Sequence, residues 1–92
     1  METLATELLE TVQKRKGTRI TVPEETIIHF LLEQRIPMAG EDIFMWLRNH
    51  GSTISYATVY TTLKRLTILG ILNNQKQANR RHVLYGISHL LT

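Results

Sequence analysis

Ile54-Ser55-Tyr56-Ala57-Thr58-Val59-Tyr60-Thr61-Thr62-Leu63-Lys64-Arg65-Leu66 is the stretch on which the reading of this chain turns. Val59, Leu63 and Leu66 recur at spacings of four and three, which sets them on one stripe of a helix. Ser55 stands where an N-cap belongs, and Gly70 stops a helix that runs to about Leu69. Tyr56, Tyr60, Lys64 and Thr67 fall on another face, with Thr61 and Arg65 beside it. That face carries phenols, hydroxyls and cations but no acid. It suits a helix lying in a DNA major groove. Phenol rings and threonine methyls can pack on thymine methyls, hydroxyls can reach base edges, and cations neutralise phosphates. An ordinary solvated helix face is the plain alternative.

Upstream, the pattern is helical throughout. Leu4, Leu8, Leu9 and Val12 form the apolar stripe of a first helix over residues 2–16. Lys14, Arg15 and Lys16 sit in its last turn, where cations suit the helix dipole, and Gly17 ends it. Thr21-Val22-Pro23-Glu24 is a capping box that opens a second helix, with proline tolerated in the first turn. Ile27, Ile28, Leu31 and Leu32 give its core face, and Pro37 closes it. A third helix spans about Ala39 to Asn49, with Ile43, Phe44 and Leu47 inward and Trp46 a packing residue.

Downstream, the period changes. Ile71 to Asn74 and Arg81 to Ile87 read as short strands, joined by the polar stretch from Gln75 to Arg80 as a hairpin loop. The expected fold class is mainly α with a small β-hairpin (α+β). It is a winged helix-turn-helix of about four helices followed by a two-stranded wing. Lys76, Arg80 and Arg81 are suited to straddle a phosphate strand or enter a minor groove.

The charge distribution agrees with this division. The 92 residues carry 11 Lys and Arg against 8 Asp and Glu, a formal +3. All eight acids lie in residues 1–42, which net −3, and residues 43–92 hold six cations and no acid. An unneutralised positive half attracts polyanions, nucleic acid first among them. With no Cys there is no disulfide, thiolate metal site or thiol nucleophile. No apolar run approaches a membrane span, and the first residues lack signal-peptide character, so the expected setting is cytoplasmic.

Enzyme chemistry and metal binding find no support. There is no Gly-rich phosphate loop and no Ser, His and Asp set, while Glu41 and Asp42 have a sufficient role at a helix start. His29 lies inside the second helix, His50 at a helix end, His82 on a strand and His89 in the tail. No pair of these has the short spacing of a local ligand set, so neither metal nor cofactor is expected.

The run at 54–63, with Leu66 and Leu69-Gly70-Ile71-Leu72, resembles the recognition-helix signature of the ferric uptake regulator family, I-S-x-A-T-V-Y-R-x-L. Arg19-Ile20-Thr21-Val22-Pro23 is similar to the family's approach to its second helix, and Glu41-Asp42-Ile43-Phe44 with Leu47 to its third. The resemblance covers about residues 10–87. It implies a DNA-binding winged helix in which Tyr60 reads bases and Arg19 reaches backbone or minor groove. This chain departs from the pattern at three places. The arginine after the tyrosine is Thr61, and the arginine after the helix-2 proline is Glu24. Thr92 falls where the family continues into a dimerising, metal-binding half. The position matching a family metal ligand in the second wing strand falls near Gly86.

The expected organisation is one winged-helix domain over residues 1–92, and the expected function is sequence-specific binding of double-stranded DNA in transcription regulation. Residues 55–69 form the recognition helix and 75–81 the wing. The DNA-binding set is Arg19, Ser55, Tyr56, Thr58, Tyr60, Thr61, Lys64, Arg65, Lys76, Arg80 and Arg81. Residues 2–16 could supply a homodimer face, since two copies on a pseudo-palindrome add contacts, or simply pack on the domain. A protein-interaction module, and an architectural or recombination-accessory protein of a phage or mobile element, are the alternative functions.

Overall fold

A computed structural model of the chain describes residues 2–76 and 83–88, with side chains from Leu4 onward. The elements in chain order are α1 (Glu2–Lys16), α2 (Val22–Gln34), β1 (Met38–Ala39), α3 (Gly40–Asn49), α4 (Tyr56–Ile68), β2 (Leu72–Lys76) and β3 (Val83–Ile87). All four expected helices form within a residue or two of their expected bounds.

Local chemistry sets those bounds. At the start of α2 the capping box is complete: the Glu24 N–H donates to Thr21 Oγ1 at 3.3 Å, and the Thr21 N–H donates to Glu24 Oε1 at 2.8 Å. Two of the donors that a helix start leaves unpaired are thereby satisfied. At the other end Arg35, not Pro37, is the terminator; it takes a left-handed conformation (φ 59°) and its N–H donates to Leu31 O. Ser55 caps α4 by accepting from the Thr58 N–H at 3.1 Å. Gly70, at φ +78°, supplies the left-handed turn that lets the chain leave α4 for β2.

The core lies where the helices meet the sheet. Leu8 and Val12 of α1, Ile27, Ile28 and Leu31 of α2, Ile43 and Leu47 of α3, and Val59, Leu63 and Leu66 of α4 are buried together with Ile71, Leu72 and Tyr85. Of the α1 stripe, Leu8 and Val12 are thus spent on the chain's own core, and Leu4 and Leu9 pack on it while remaining partly exposed.

The sheet differs from expectation in two respects. It has three strands, not two, in the antiparallel order β1-β3-β2, with Met38 opposite Tyr85 and Leu72 opposite Ile87. Two residues are too few to show an alternating pattern, so β1 leaves no period in the sequence. Secondly, β2 continues through Gln75 and Lys76, which pair with Leu84 and Val83. Their polar side chains suit the expected loop, but both are exposed, and a strand with a solvated face accepts such residues. Arg80, Arg81 and the rest of the expected loop tip lie outside the described residues.

Candidate nucleic-acid interface

The exposed face of α4 is narrower than its sequence suggests. Tyr56 is half exposed, and Ala57, Thr61 and Lys64 are open to solvent. Thr62 is buried, and the half-buried Thr67 donates its hydroxyl to Leu63 O at 2.8 Å, inside its own helix. Tyr60 is half-buried rather than outward. Its ring lies 4.7 Å from that of Tyr56, and Tyr56 in turn meets Phe44 of α3 edge-on at 5.2 Å. A continuous aromatic row therefore holds the first two turns of α4 against α3.

Gly40, the first residue of α3, leaves room for this arrangement. A Cβ there would sit 2.8 Å from Tyr60 Cζ and 3.0 Å from its hydroxyl oxygen. Real contacts of that kind are essentially never this short, so only glycine lets the phenol lie across the helix start. Nothing in the sequence singles out Gly40, because its partner is twenty residues away in the chain.

The phenol of Tyr60 is pushed up to about 12 from 10.0. Hydrogen bonding to the Tyr56 side chain is the largest cause, followed by burial and then by the charges of Tyr56, Tyr85 and Glu41. Tyr60 thus stays a neutral donor across the physiological range. A raised acid pKa stabilises the fold below 10.0, and that contribution is lost as pH climbs to about 12. Tyrosinate absorbance should show one phenol titrating late, and Tyr60→Phe should remove it. In Gly40→Ala the late phenol should return toward 10.0, because the added methyl displaces the ring from Tyr56. A Gly40→Ala titration identical to wild type would refute the contact.

The hydroxyls at the helix start are organised too. The Ser55 hydroxyl donates to Thr58 Oγ1 at 2.9 Å while accepting from the Thr58 N–H. The first turn of α4 carries no acid, so its free N–H groups and positive dipole end are available to an anion.

Among the basic residues, Lys64 is exposed on α4 and Lys76 on β2, beside the wing. Arg19 is exposed between α1 and α2, with its carbonyl accepting from Lys16 Nζ at 3.1 Å. Arg65 differs from these three. Its Nη1 lies 3.3 Å from Glu24 Oε2, while its side chain keeps 41% exposure. Arg65 also lines a shallow cleft with Thr21, Pro23, Thr58 and Thr61, between the start of α2 and the outer face of α4. Glu24, read from the sequence only as a cap and a missing cation, is therefore part of the site's electrostatics.

Trp46 and His50 serve packing. Trp46 lies between Phe30 at 4.5 Å and the parallel ring of His50 at 3.7 Å, and His50 Nδ1 sits 2.8 Å from Trp46 O. His29 is exposed, 3.9 Å from Glu25. No group of three or more His, Cys, Asp or Glu side chains that could hold a metal ion occurs among the described residues. No helix among them is long and apolar enough to cross a membrane.

Three helices leading into α4, a sheet whose long strands form a wing, and an acid-free outer face on α4 define a winged helix-turn-helix protein. The family model of the ferric uptake regulator family matches residues 15–89, and the chain belongs to that family. Solved structures agree. A peroxide-sensing regulator, PerR from Streptococcus pyogenes, is 26% identical over 90% of this chain and 56% of its own, with a TM-score of 0.78. The ferric uptake regulator from Francisella tularensis with iron is 30% identical over 79% of this chain and 55% of its own, TM-score 0.73. The regulator from Pseudomonas aeruginosa with manganese, 23% identical at TM-score 0.74, shares the fold over 84% of this chain and 57% of its own. The chain thus spans just over half the length of the structures it matches. No curated protein matches it in sequence.

Proposed function

We propose that residues 1–92 act as one DNA-binding unit of a transcription regulator, recognising double-stranded DNA in a sequence-specific manner. The observation that carries this reading is the outer face of α4: Tyr56, Ala57, Thr61 and Lys64 are exposed, its start is capped, and no acid lies on it. Tyr56, Tyr60, Thr58 and Thr61 are the base-reading candidates, and Ser55 fixes the helix start. Lys64, Arg19 and Lys76, with Arg80 and Arg81 of the expected wing, are the candidates for phosphate contact, and Arg65 stands beside them, paired with Glu24. The relatives are named for ferric uptake regulation and for peroxide sensing and gene regulation. Binding is non-covalent and enzymatic turnover plays no part in it.

Two copies on a pseudo-palindrome would double the contacts a unit this small can make. A homodimer through residues 2–16 would have to use Leu4, Leu9 and the polar side of α1, since Leu8 and Val12 are already buried. Gel mobility shift with duplex DNA tests the reading. Each phosphate neutralised contributes about −0.9 to the slope of log affinity against log salt, so a shift that fades steeply with salt is expected. Absence of any shift at low salt would overturn it.

A further inference from the structure

Glu24 is completely buried, yet it is charged and fully engaged. Its Oε1 accepts from Lys16 Nζ and from the Thr21 N–H, both at 2.8 Å, and its Oε2 accepts from Arg65 Nη1 at 3.3 Å. Burial alone would raise the carboxyl, but the bonds from Lys16, Thr21 and Arg65 together hold it below its ordinary value. The carboxylate is thus anionic whenever DNA could be bound. It reaches across 41 residues of sequence to a cation on the helix that faces DNA.

Arg65 has two anions within its geometric reach. One is Glu24, beneath it; the other would be a phosphate passing over the cleft that Arg65 lines with Thr58 and Thr61. A guanidinium bonded to a buried carboxylate has part of its charge offset by that partner, and here its Nη1 is turned toward Glu24. Releasing it would leave Glu24 with Lys16 as its one charged partner and the Thr21 N–H, both on Oε1, which is unfavourable for a buried anion.

We propose that Glu24 is a positioning residue that withholds Arg65 from the DNA backbone, reducing by one the phosphates this unit neutralises. The proposal rests on the DNA-binding reading and specifies how strongly that same site grips the backbone. Weakening the sequence-independent part of the affinity in this way leaves the base contacts of α4 with a larger share of the total.

Glu24→Gln tests it, since glutamine at this position preserves the capping box while removing the charge. Binding of a fixed duplex by Glu24→Gln and wild type is measured from about 50 to about 200 mM salt. The variant should bind more tightly at low salt, with a slope steeper by about 1. Its advantage should shrink about threefold to fourfold across that range. In an Arg65→Ala background the same exchange should give no steepening. A folding defect, detected by thermal unfolding, moves the test to Glu24→Asp, whose shorter side chain keeps an acid at the cap but loses reach to Arg65; the same steepening is expected. Parallel slopes for variant and wild type, or a steepening that survives without Arg65, would overturn the proposal while leaving DNA binding intact. Wild type that shifts no duplex at any salt overturns both.

Discussion

Exchanging Tyr60 and Lys64 together for alanine is expected to weaken duplex binding on the order of a hundredfold. The estimate combines two losses. A good base contact is worth about 1–3 kcal/mol of discrimination, and every 1.4 kcal/mol is tenfold. A phosphate contact removes about one unit of salt slope. The single variants separate these contributions. Lys64→Ala should weaken all sequences alike and flatten the salt dependence, because an exposed ammonium is a point charge without sequence preference. Tyr60→Ala should keep the slope and lose discrimination between sites. Circular dichroism must show both folded, since Tyr60 is half-buried and its removal opens space beside Gly40. Undiminished binding by the folded double variant would rule out α4 as the reading element.

Leu63→Ala is expected to be among the most destabilising single exchanges on the same helix. Leu63 is fully buried, and α4 packs against α2, α3 and β2. Truncating a buried leucine costs about 2–5 kcal/mol, because lost transfer energy and a residual cavity add. A chain of this length commands only about 5–14 kcal/mol in total. Each kcal/mol lowers Tm by about 4–8 °C in a domain this small, so a fall of at least about 8 °C is expected in thermal unfolding. Ile68 provides the control. It lies five residues further on, is 84% exposed, and its alanine variant should stay within about 0.5 kcal/mol of wild type. Equal effects at the two positions would contradict the placement of the α4 stripe.

The helices were legible because their signals are local. The capping box at Thr21 and Glu24, the cap at Ser55 and the spacing of Val59, Leu63 and Leu66 each involve residues within one or two turns. What escaped was non-local. Strand β1 is two residues long and exists only because β3 offers an unpaired edge. The close fit of Tyr60 over Gly40 depends on how α3 and α4 cross, and the Glu24–Arg65 bond on how α2 meets α4. Helical periodicity correctly set Tyr56, Tyr60 and Lys64 on one face. It could not say that Tyr60 sinks between helices while Lys64 remains in water.

Ala39 is both the last residue of β1 and the N-cap of α3, with no residue between strand and helix. Strand β1 is hydrogen-bonded to β3, the same strand whose other edge carries β2 and the wing. Wing root and helix-turn-helix are therefore coupled like two arms of one lever. Under the proposed function, a wing that tilted to follow a phosphate strand would turn α3 with it, and the Tyr60 phenol lies across the first residue of α3. On the proposed DNA-binding reading, a groove width met at one end of the molecule would reach the other as an angle of α3.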